Sequence, residues 1–554
     1  MTARGSTVSR RAALTTVLAV LFLTFLDTTI VSVTLGDIES DVSAGVIPLQ
    51  WVINAYALVF ASLMLIGGSL ADRWGRKWVM LGGIVVFCAG SVMCAVAPGV
   101  SMVIGGRAVM GIGAAASEPG TLSVIRQLYP DRRERARALG VWSAVSGLAL
   151  ALGPVIGGLL VGLDGWRLVF WFNLALGIVL GVAVWKFVPD SKDPAPGRLD
   201  LPGFVLGTGG IFSLVFASIS GEYQGYGTWW IIALFVVGGL CLIGFVPVEK
   251  RSRSPMLDPR YLKPPIVKVA LFAAFAVYFG VFAIFFLTAL YLDVALQFSG
   301  WKLAGMFAPM ALAIVVGGLL AGPWVARLGS RQPMIAGCAL AAAGIAIART
   351  EITRLPVPKD GAVSTPQFLI LAVALALAGL GFGITVVPLT SAVLSHIPAE
   401  HSGVAASATN TARQLGAVVG VAALGAIVNA RLVSEVNQTF TGPLFGKGAR
   451  QAILKILETG GGSGSFSLDS IPVNFLDAFR DGLAVALLAA VALVGLAGLV
   501  ALLVREPEAM DTLDGAEPAA RRPLPHRRAG DQGTSTGVTA AGSAPPSTSS
   551  SGSA

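Results

Sequence analysis

Apolar runs long enough to cross a bilayer alternate with short polar loops along nearly the whole chain. A transmembrane helix needs roughly 20 predominantly apolar residues. On that rule fourteen spans are read. Six precede Pro189, at Ala12–Gly36, Ile47–Ala71, Trp78–Pro98, Met102–Ile125, Ala136–Gly162 and Leu168–Val188. Two follow a polar linker, at Leu201–Ser220 and Trp229–Val248. Six close the chain, at Ile266–Leu292, Leu303–Ala326, Met334–Ala348, Phe368–Leu394, Gly403–Asn429 and Gly482–Val504.

The polar positions orient these spans, because short loops rich in Lys and Arg stay on the cytoplasmic side. With the N-terminus inside, the inner loops hold Arg73, Arg76 and Lys77, then Arg126, Arg132, Arg133, Arg135 and Arg137. Further along they hold Lys186, Lys192 and Arg198, then Lys250, Arg251, Arg253, Arg260 and Lys263. The short outer loops hold little beyond Arg167 and Lys302, and Asp37, Glu39 and Asp41 face out. An error of one span would invert this bias partway; it keeps its phase, so both termini are expected in the cytoplasm.

The resulting fold class is an all-α polytopic membrane protein of two six-helix bundles plus two inserted central helices. Residues 1–11 form a cytoplasmic N-terminus and 12–188 the first bundle. Residues 189–264 form a linker with the inserted pair, and 265–505 the second bundle. Within the latter, 431–475 is expected to be a long extracytoplasmic loop with a helical piece at Ala449–Leu457. Residues 506–554, rich in Pro, Gly, Ser, Thr and Ala, are expected to be a disordered cytoplasmic tail. A weak internal repeat supports the two halves. Gly111-x-Gly113 is similar to Gly379-x-Gly381-x-Gly383, and Gly68-Ser69-Leu70-Ala71 to Gly318-Leu319-Leu320-Ala321. Parallel repeats about an axis along the membrane normal are a transporter layout.

Composition agrees. Only 12% of the 554 residues are charged and 55% are apolar, against about 25% charged in soluble domains. The net charge of +9 does not point to nucleic acid, since the basic residues lie in short loops between apolar spans. Cys88, Cys94, Cys241 and Cys338 sit inside apolar runs and read as small packing residues. The first run is too long for a signal-peptide core. Ala-, Gly- and Arg-rich usage fits a high-GC bacterial source, hence a multi-pass protein of the bacterial plasma or inner membrane. No Cys/His metal spacing, phosphate-cradling loop or nucleophile elbow occurs, so an enzyme is not expected.

Charges inside a bilayer cost at least a few kcal/mol each unless paired or hydrated, so those in mid-span are the first functional candidates. They are Asp27 in span one and Arg107 and Glu118 in span four. The last two lie eleven residues apart, close to three helical turns. They therefore share a face about 16 Å apart along the axis, and Pro119 loosens the backbone beside Glu118. Asp27 and Glu118 are read as proton-coupling carboxylates tuned by Arg107, the alternative being a buried Asp27–Arg107 pair that only holds helices together. For a substrate pocket the residues named are Trp51, Asn54, Phe286, Tyr291, Asn410, Arg413 and Gln414, aromatics with a few polar groups.

Several stretches resemble one family. Gly68-Ser69-Leu70-Ala71-Asp72-Arg73-Trp74-Gly75-Arg76-Lys77 is similar to the loop signature of the major facilitator superfamily. Leu26-Asp27-Thr28-Thr29-Ile30-Val31, Arg107-x-x-Met110-Gly111-x-Gly113 and Gly153-Pro154-Val155-Ile156-Gly157-Gly158 resemble motifs of its fourteen-span drug:proton antiporter branch. So do Gly165-Trp166-Arg167 and Asn410 to Gly416. The chain departs from the pattern at Ser32, Gly36, Met110 and Ala175. The resemblance implies a multidrug-efflux type of protein, in which Gly68, Asp72, Arg73, Gly75 and Arg76 form an inner gate. It further implies an antiporter hinge at Gly153, Pro154, Gly157 and Gly158. The implied activity is proton-coupled export of small amphipathic or cationic compounds by alternating access. No cofactor is implied: the proton gradient is the energy source, the partners are the bilayer, protons and a small molecule, and a monomer is expected. The alternatives are export of an endogenous metabolite, antibiotic or lipid, and a membrane sensor or scaffold that transports nothing.

Overall fold

The computed structural model describes residues 3–42, 44, 46–191, 200–252, 255, 259–294, 298, 300–355, 364–398, 401–439 and 473–504. Every regular element among them is helical, and fourteen helices are long and apolar enough to cross a membrane. The first span is composite: α1 (Ala3–Ile30), a 3₁₀ turn at Val31–Thr34, and α2 (Leu35–Val42). The rest of the first half is α3 (Val46–Trp74), α4 (Arg76–Ala95), α5 (Val100–Leu128), α6 (Arg132–Asp164) and α7 (Arg167–Phe187). The inserted pair is α8 (Leu201–Gln224) and α9 (Trp229–Arg251). The second half is α10 (Pro265–Val294), α11 (Gly300–Leu328), α12 (Arg331–Arg354), α13 (Thr365–His396), α14 (Ser402–Thr439) and α15 (Val473–Leu503).

Several helices outrun their apolar cores. A helix carries its charged ends past the hydrocarbon because its own backbone bonds are already closed. Thus α12 takes in Arg349, Glu351 and Arg354, and Arg349 donates to the Ala484 carbonyl of α15 at 3.0 Å. Similarly, α14 continues to Thr439 and α15 begins at Val473, so both ends of the expected 431–475 loop are helical. The remainder of that loop, including Ala449–Leu457, and the expected tail lie outside the described residues. At the start of α6, Asp131 caps the helix by accepting from the Arg133 and Glu134 amides at 2.9 Å each. Those amides, Glu134 first, hold its carboxyl below the usual carboxylate range.

The halves repeat one packing pattern. In the first, α5 lies on α3 and α4, α1 on α6, and α4 on α7; in the second, α13 lies on α11 and α12, α10 on α14, and α12 on α15. The repeated glycines explain the correspondence. A β-carbon on Gly111 would lie 2.8 Å from the Tyr56 carbonyl oxygen of α3, and one on Gly379 2.5 Å from that of Met310 in α11. Gly113 and Gly381 in turn meet the Gly83 and Gly337 carbonyls, each at 2.5 Å. Small residues let helices approach closely where lipid offers no hydrophobic drive. The halves meet along two seams, α3 with α14 and α6 with α11. The inserted α8 packs on both α3 and α14, its Ile211, Val215 and Ile219 clustering with Leu58, Ala61, Leu415 and Val418. Outside it, α9 packs on α8.

Candidate functional site

Asp27 of α1 is completely buried inside the first half, where side chains from α5 and α7 meet it. From α5, Arg107 places Nη1 2.6 Å from Asp27 Oδ2. From α7, Asn173 donates through Nδ2 to Asp27 Oδ1 at 2.7 Å. Arg107 also donates through Nε to the Val52 carbonyl of α3 at 2.9 Å, and its guanidinium lies 4.4 Å from the centre of the Tyr56 ring. Tyr56 in turn donates to the Thr24 carbonyl at 3.2 Å. A guanidinium can serve a carboxylate, a carbonyl and a ring face together because its donors form a rigid planar fork. Neither Asn173 nor Tyr56 was among the residues singled out from sequence. Asn173 had a signal: it is the only polar side chain in the run Leu168 to Trp185.

Glu118 lies on the same helix as Arg107, yet Arg107 is bonded to Asp27 and Glu118 takes its partner from the other half. Asn410 of α14 donates through Nδ2 to Glu118 Oε2. Asn410 then accepts through Oδ1 from Arg413 Nη1 at 2.8 Å, and Arg413 donates through Nη2 to Thr390 Oγ1 of α13. Two rings flank Arg413, Trp142 of α6 at 5.1 Å and Tyr278 of α10 at 5.7 Å. Trp142 Nε1 donates to Thr121 Oγ1 at 3.2 Å. A chain of polar contacts therefore crosses the middle of the molecule from α5 to α14 to α13. The expectation that Arg107 tunes both carboxylates is corrected: the cation nearest Glu118 in this chain of contacts is Arg413.

Glu118 Oε1, Arg413 Nε and Arg107 Nη2 are buried without a hydrogen-bond partner among the described residues. An orphaned buried polar atom costs about 1–3 kcal/mol, and more when charged.

The other residues proposed for a pocket separate. Asn410 and Arg413 join the central network, and Gln414 follows half-buried on α14. Trp51 instead packs on Phe216 of the inserted α8, with ring centres 5.5 Å apart, and Asn54 is half-buried on α3. Tyr291 is taken up by Phe479 of α15, edge to face at 5.4 Å, and Phe286 is half exposed. The rings at Arg413 are those of Trp142 and Tyr278.

On the face that carries Arg73, Arg76 and Lys77, Asp72 reaches across the α3–α14 seam. Its Oδ1 accepts from the Gly403 amide at 2.9 Å and its Oδ2 from the Val404 amide at 3.1 Å. These are orphan donors of the first turn of α14, where the helix dipole also favours an anion. Arg76 pairs with Asp72 Oδ1 at 2.9 Å, and the Arg76 amide donates to the Ser191 carbonyl. Gly68 is pressed against Gly403 and Ser407 of α14, so it admits no side chain. Gly75 has φ +101°, a left-handed conformation that lets α3 turn directly into α4. Arg73 is half-buried at the end of α3. On α6, Gly153 meets Thr29 and Gly157 meets Ile30 and Val33, whereas a β-carbon on Gly158 would meet nothing within 4 Å. Gly158 is thus not part of the close contact between α6 and the first span.

Two six-helix halves, with a buried ion pair inside the first and a polar bridge between them, define a polytopic transporter. The chain matches the family model of the Major Facilitator Superfamily over residues 17–421 and belongs to that family. It is 30% identical, over 75% of each chain, to "Multidrug resistance protein Stp" of Mycobacterium tuberculosis. To "Methylenomycin A resistance protein" of Bacillus subtilis it is 33% identical over 76% of this chain and 89% of that one. To the "Probable actinorhodin transporter" of Streptomyces coelicolor it is 31% identical over 77% and 74%. In fold it is similar to the crystal structure of the human organic anion transporter MFSD10, with TM-score 0.56 at 15% identity over 81% of this chain and 97% of that one. It is therefore a multi-pass cell-membrane transporter of a small molecule, not an enzyme.

Proposed function

We propose that this transporter exports small amphipathic or cationic compounds, drugs among them, from the cytoplasm in exchange for protons. The observation that carries the reading is the buried Asp27–Arg107 pair with Asn173 on the second carboxylate oxygen. Moving its cation partner away favours protonation of a carboxylate so placed, which links protonation to helix movement. A proton entering down a potential of 100 mV releases about 2.3 kcal/mol, enough for roughly a fifty-fold gradient of an uncharged substrate; exchange for a monovalent cation moves no net charge and draws on the pH gradient alone. Glu118, bonded across to the other half, is read as the second proton-coupling group. The face of Arg73 and Lys77 is read as cytoplasmic. The α3–α14 contact at Asp72 is then the closed inner gate, and the protein works as a monomer in a bacterial plasma membrane.

The names of the relatives support export of toxic compounds. They also support the second reading, since some name a single antibiotic in place of a range of drugs. A susceptibility panel in a pump-deficient host, with wild type beside Asp27→Asn, separates the two. Protection against many unrelated compounds that Asp27→Asn abolishes is expected. Equal susceptibility across the panel would turn the reading to one endogenous substrate. A pH gradient that drives Asp27→Asn as well as wild type in proteoliposomes would remove Asp27 from coupling.

A further inference from the structure

Pro154 has no amide hydrogen, so the carbonyl four residues earlier in α6, that of Leu150, lacks the donor a regular helix would supply. Among apolar side chains an unanswered carbonyl is costly, and another donor is expected. The donor is Thr29, whose Oγ1 lies 3.1 Å from the Leu150 oxygen. The glycines of α6 make the approach possible. A side chain on Gly153 would occupy the place of the Thr29 hydroxyl, and a β-carbon on Gly157 would stand 2.7 Å from the Ile30 carbonyl. The same hydroxyl lies 3.3 Å from the carbonyl of Leu26 in its own helix. Its one proton is divided between the two carbonyls, so strengthening one bond weakens the other.

Thr29 also sits where α1 gives way to the 3₁₀ turn Val31–Thr34. Ser32 and Thr34 donate back to the Thr29 and Val31 carbonyls at 2.7 Å each, which competes with the α-helical bonds there. Asp27 precedes Thr29 by two residues, and the groups facing it are Arg107 of α5 and Asn173 of α7, with Tyr56 of α3 beneath the guanidinium.

We infer that Thr29 is a positioning residue for transport, its hydroxyl moving between the Leu26 and Leu150 carbonyls and so tying the break in α1 to the proline joint of α6. A displacement of α1 at Asp27 then loosens or tightens the α6 joint, although the Thr29 hydroxyl bonds to the Leu26 and Leu150 carbonyls and not to Asp27. The link to transport rests on the reading of Asp27 given above; the joint between the helices does not.

Hydrogen–deuterium exchange on the purified full-length protein, with Thr29→Val, Thr29→Ser and Asp27→Asn, tests the joint. Thr29→Val should speed exchange over residues 150–160 at least about tenfold, and Thr29→Ser, which keeps the hydroxyl, should match wild type. Asp27→Asn should alter exchange over 150–160 in wild type but not in the Thr29→Val background. Pro154→Ala returns an amide to Leu150, so adding Thr29→Val to it should change exchange less than about twofold. That double variant also stands in if Thr29→Val alone does not assemble. In transport, Thr29→Val should lower turnover at unchanged KM. Wild-type exchange in Thr29→Val, an undiminished effect of Asp27→Asn in its presence, Thr29→Ser behaving as Val, or a double variant as loosened as Thr29→Val alone would each overturn the joint. Should the exchange results appear as expected while Asp27→Asn retains pH-driven transport, the joint stands and the coupling role of Asp27 fails.

Discussion

A buried ion pair is costly to assemble and costlier to break, and Asp27 with Arg107 can be judged by that difference. Removing one partner of such a pair destabilises by about 3–5 kcal/mol, because it strands the other charge. Asp27→Ala should therefore lower the melting temperature of the purified protein markedly. Asp27→Asn keeps one acceptor for Arg107 but removes its counter-charge, so it should melt below wild type and above Asp27→Ala while losing pH-driven transport. A pair that served only to hold helices together would show the same order of melting temperatures with transport intact in Asp27→Asn. Arg107→Lys is informative in another way. Lysine can reach one acceptor but cannot span Asp27, the Val52 carbonyl and the Tyr56 face together. Turnover in proteoliposomes should fall at least about tenfold, and wild-type turnover would show that the fork geometry is dispensable.

Among the elements, α6 holds the sharpest contrast between neighbouring positions. Gly153 faces Thr29, and Gly158, five residues on, faces open space. Gly153→Leu should cut turnover severely, whereas Gly158→Ala should leave transport unchanged and stabilise α6 by about 0.5–1 kcal/mol. Equal effects of the two would mean that the motif acts through helix flexibility, not through contact with α1. The spans themselves were legible in the sequence because burial in lipid demands long uninterrupted apolar runs. Their ends were not, since charged turns such as Asp477–Asp481 on α15 are held by ion pairs on the helix itself. The candidate site divides in the same way. Asp27, Arg107 and Glu118 stood out because charge in lipid is rare, and Asn173 could have been found as the one polar residue in its run. The partners of Arg413 could not. Thr390, Trp142 and Tyr278 are ordinary residues for such helices, and only packing between distant elements brings them together. The same holds for Glu118, whose bond to Asn410 joins residues 292 positions apart.

For the whole molecule, the two seams between the halves occupy equivalent places in the repeat but are closed differently. Gly68 and Gly318 correspond, and each packs on the helix across its seam, α14 and α6 respectively. Four residues on, Asp72 corresponds to Gly322. Asp72 caps α14 from across one seam, whereas at Gly322 a β-carbon would lie 2.8 Å from the Ala136 carbonyl of α6, and α6 carries its own cap in Asp131. One seam is held by a carboxylate on two amides, the other by backbone on backbone. Rocking that opens the face of Arg73 must break the first contact, where water can replace the carboxylate, but can pivot on the second. Asp72→Asn leaves one acceptor oxygen and removes the charge that the α14 dipole favours, a loss of about 1.5 kcal/mol, which shifts the closed population roughly tenfold. Spin labels at Trp74 on α3 and Leu328 on α11, both exposed, would report it in a background with the four cysteines replaced. The long-distance population should grow with Asp72→Asn, and substrate Kd should change less than about twofold, because Asp72 lies at the far end of α3 from Val52 and Tyr56, which meet Arg107. An unchanged distance distribution would mean that Asp72 does not hold the seam, and a weakened substrate with unchanged distances would place Asp72 at the binding site.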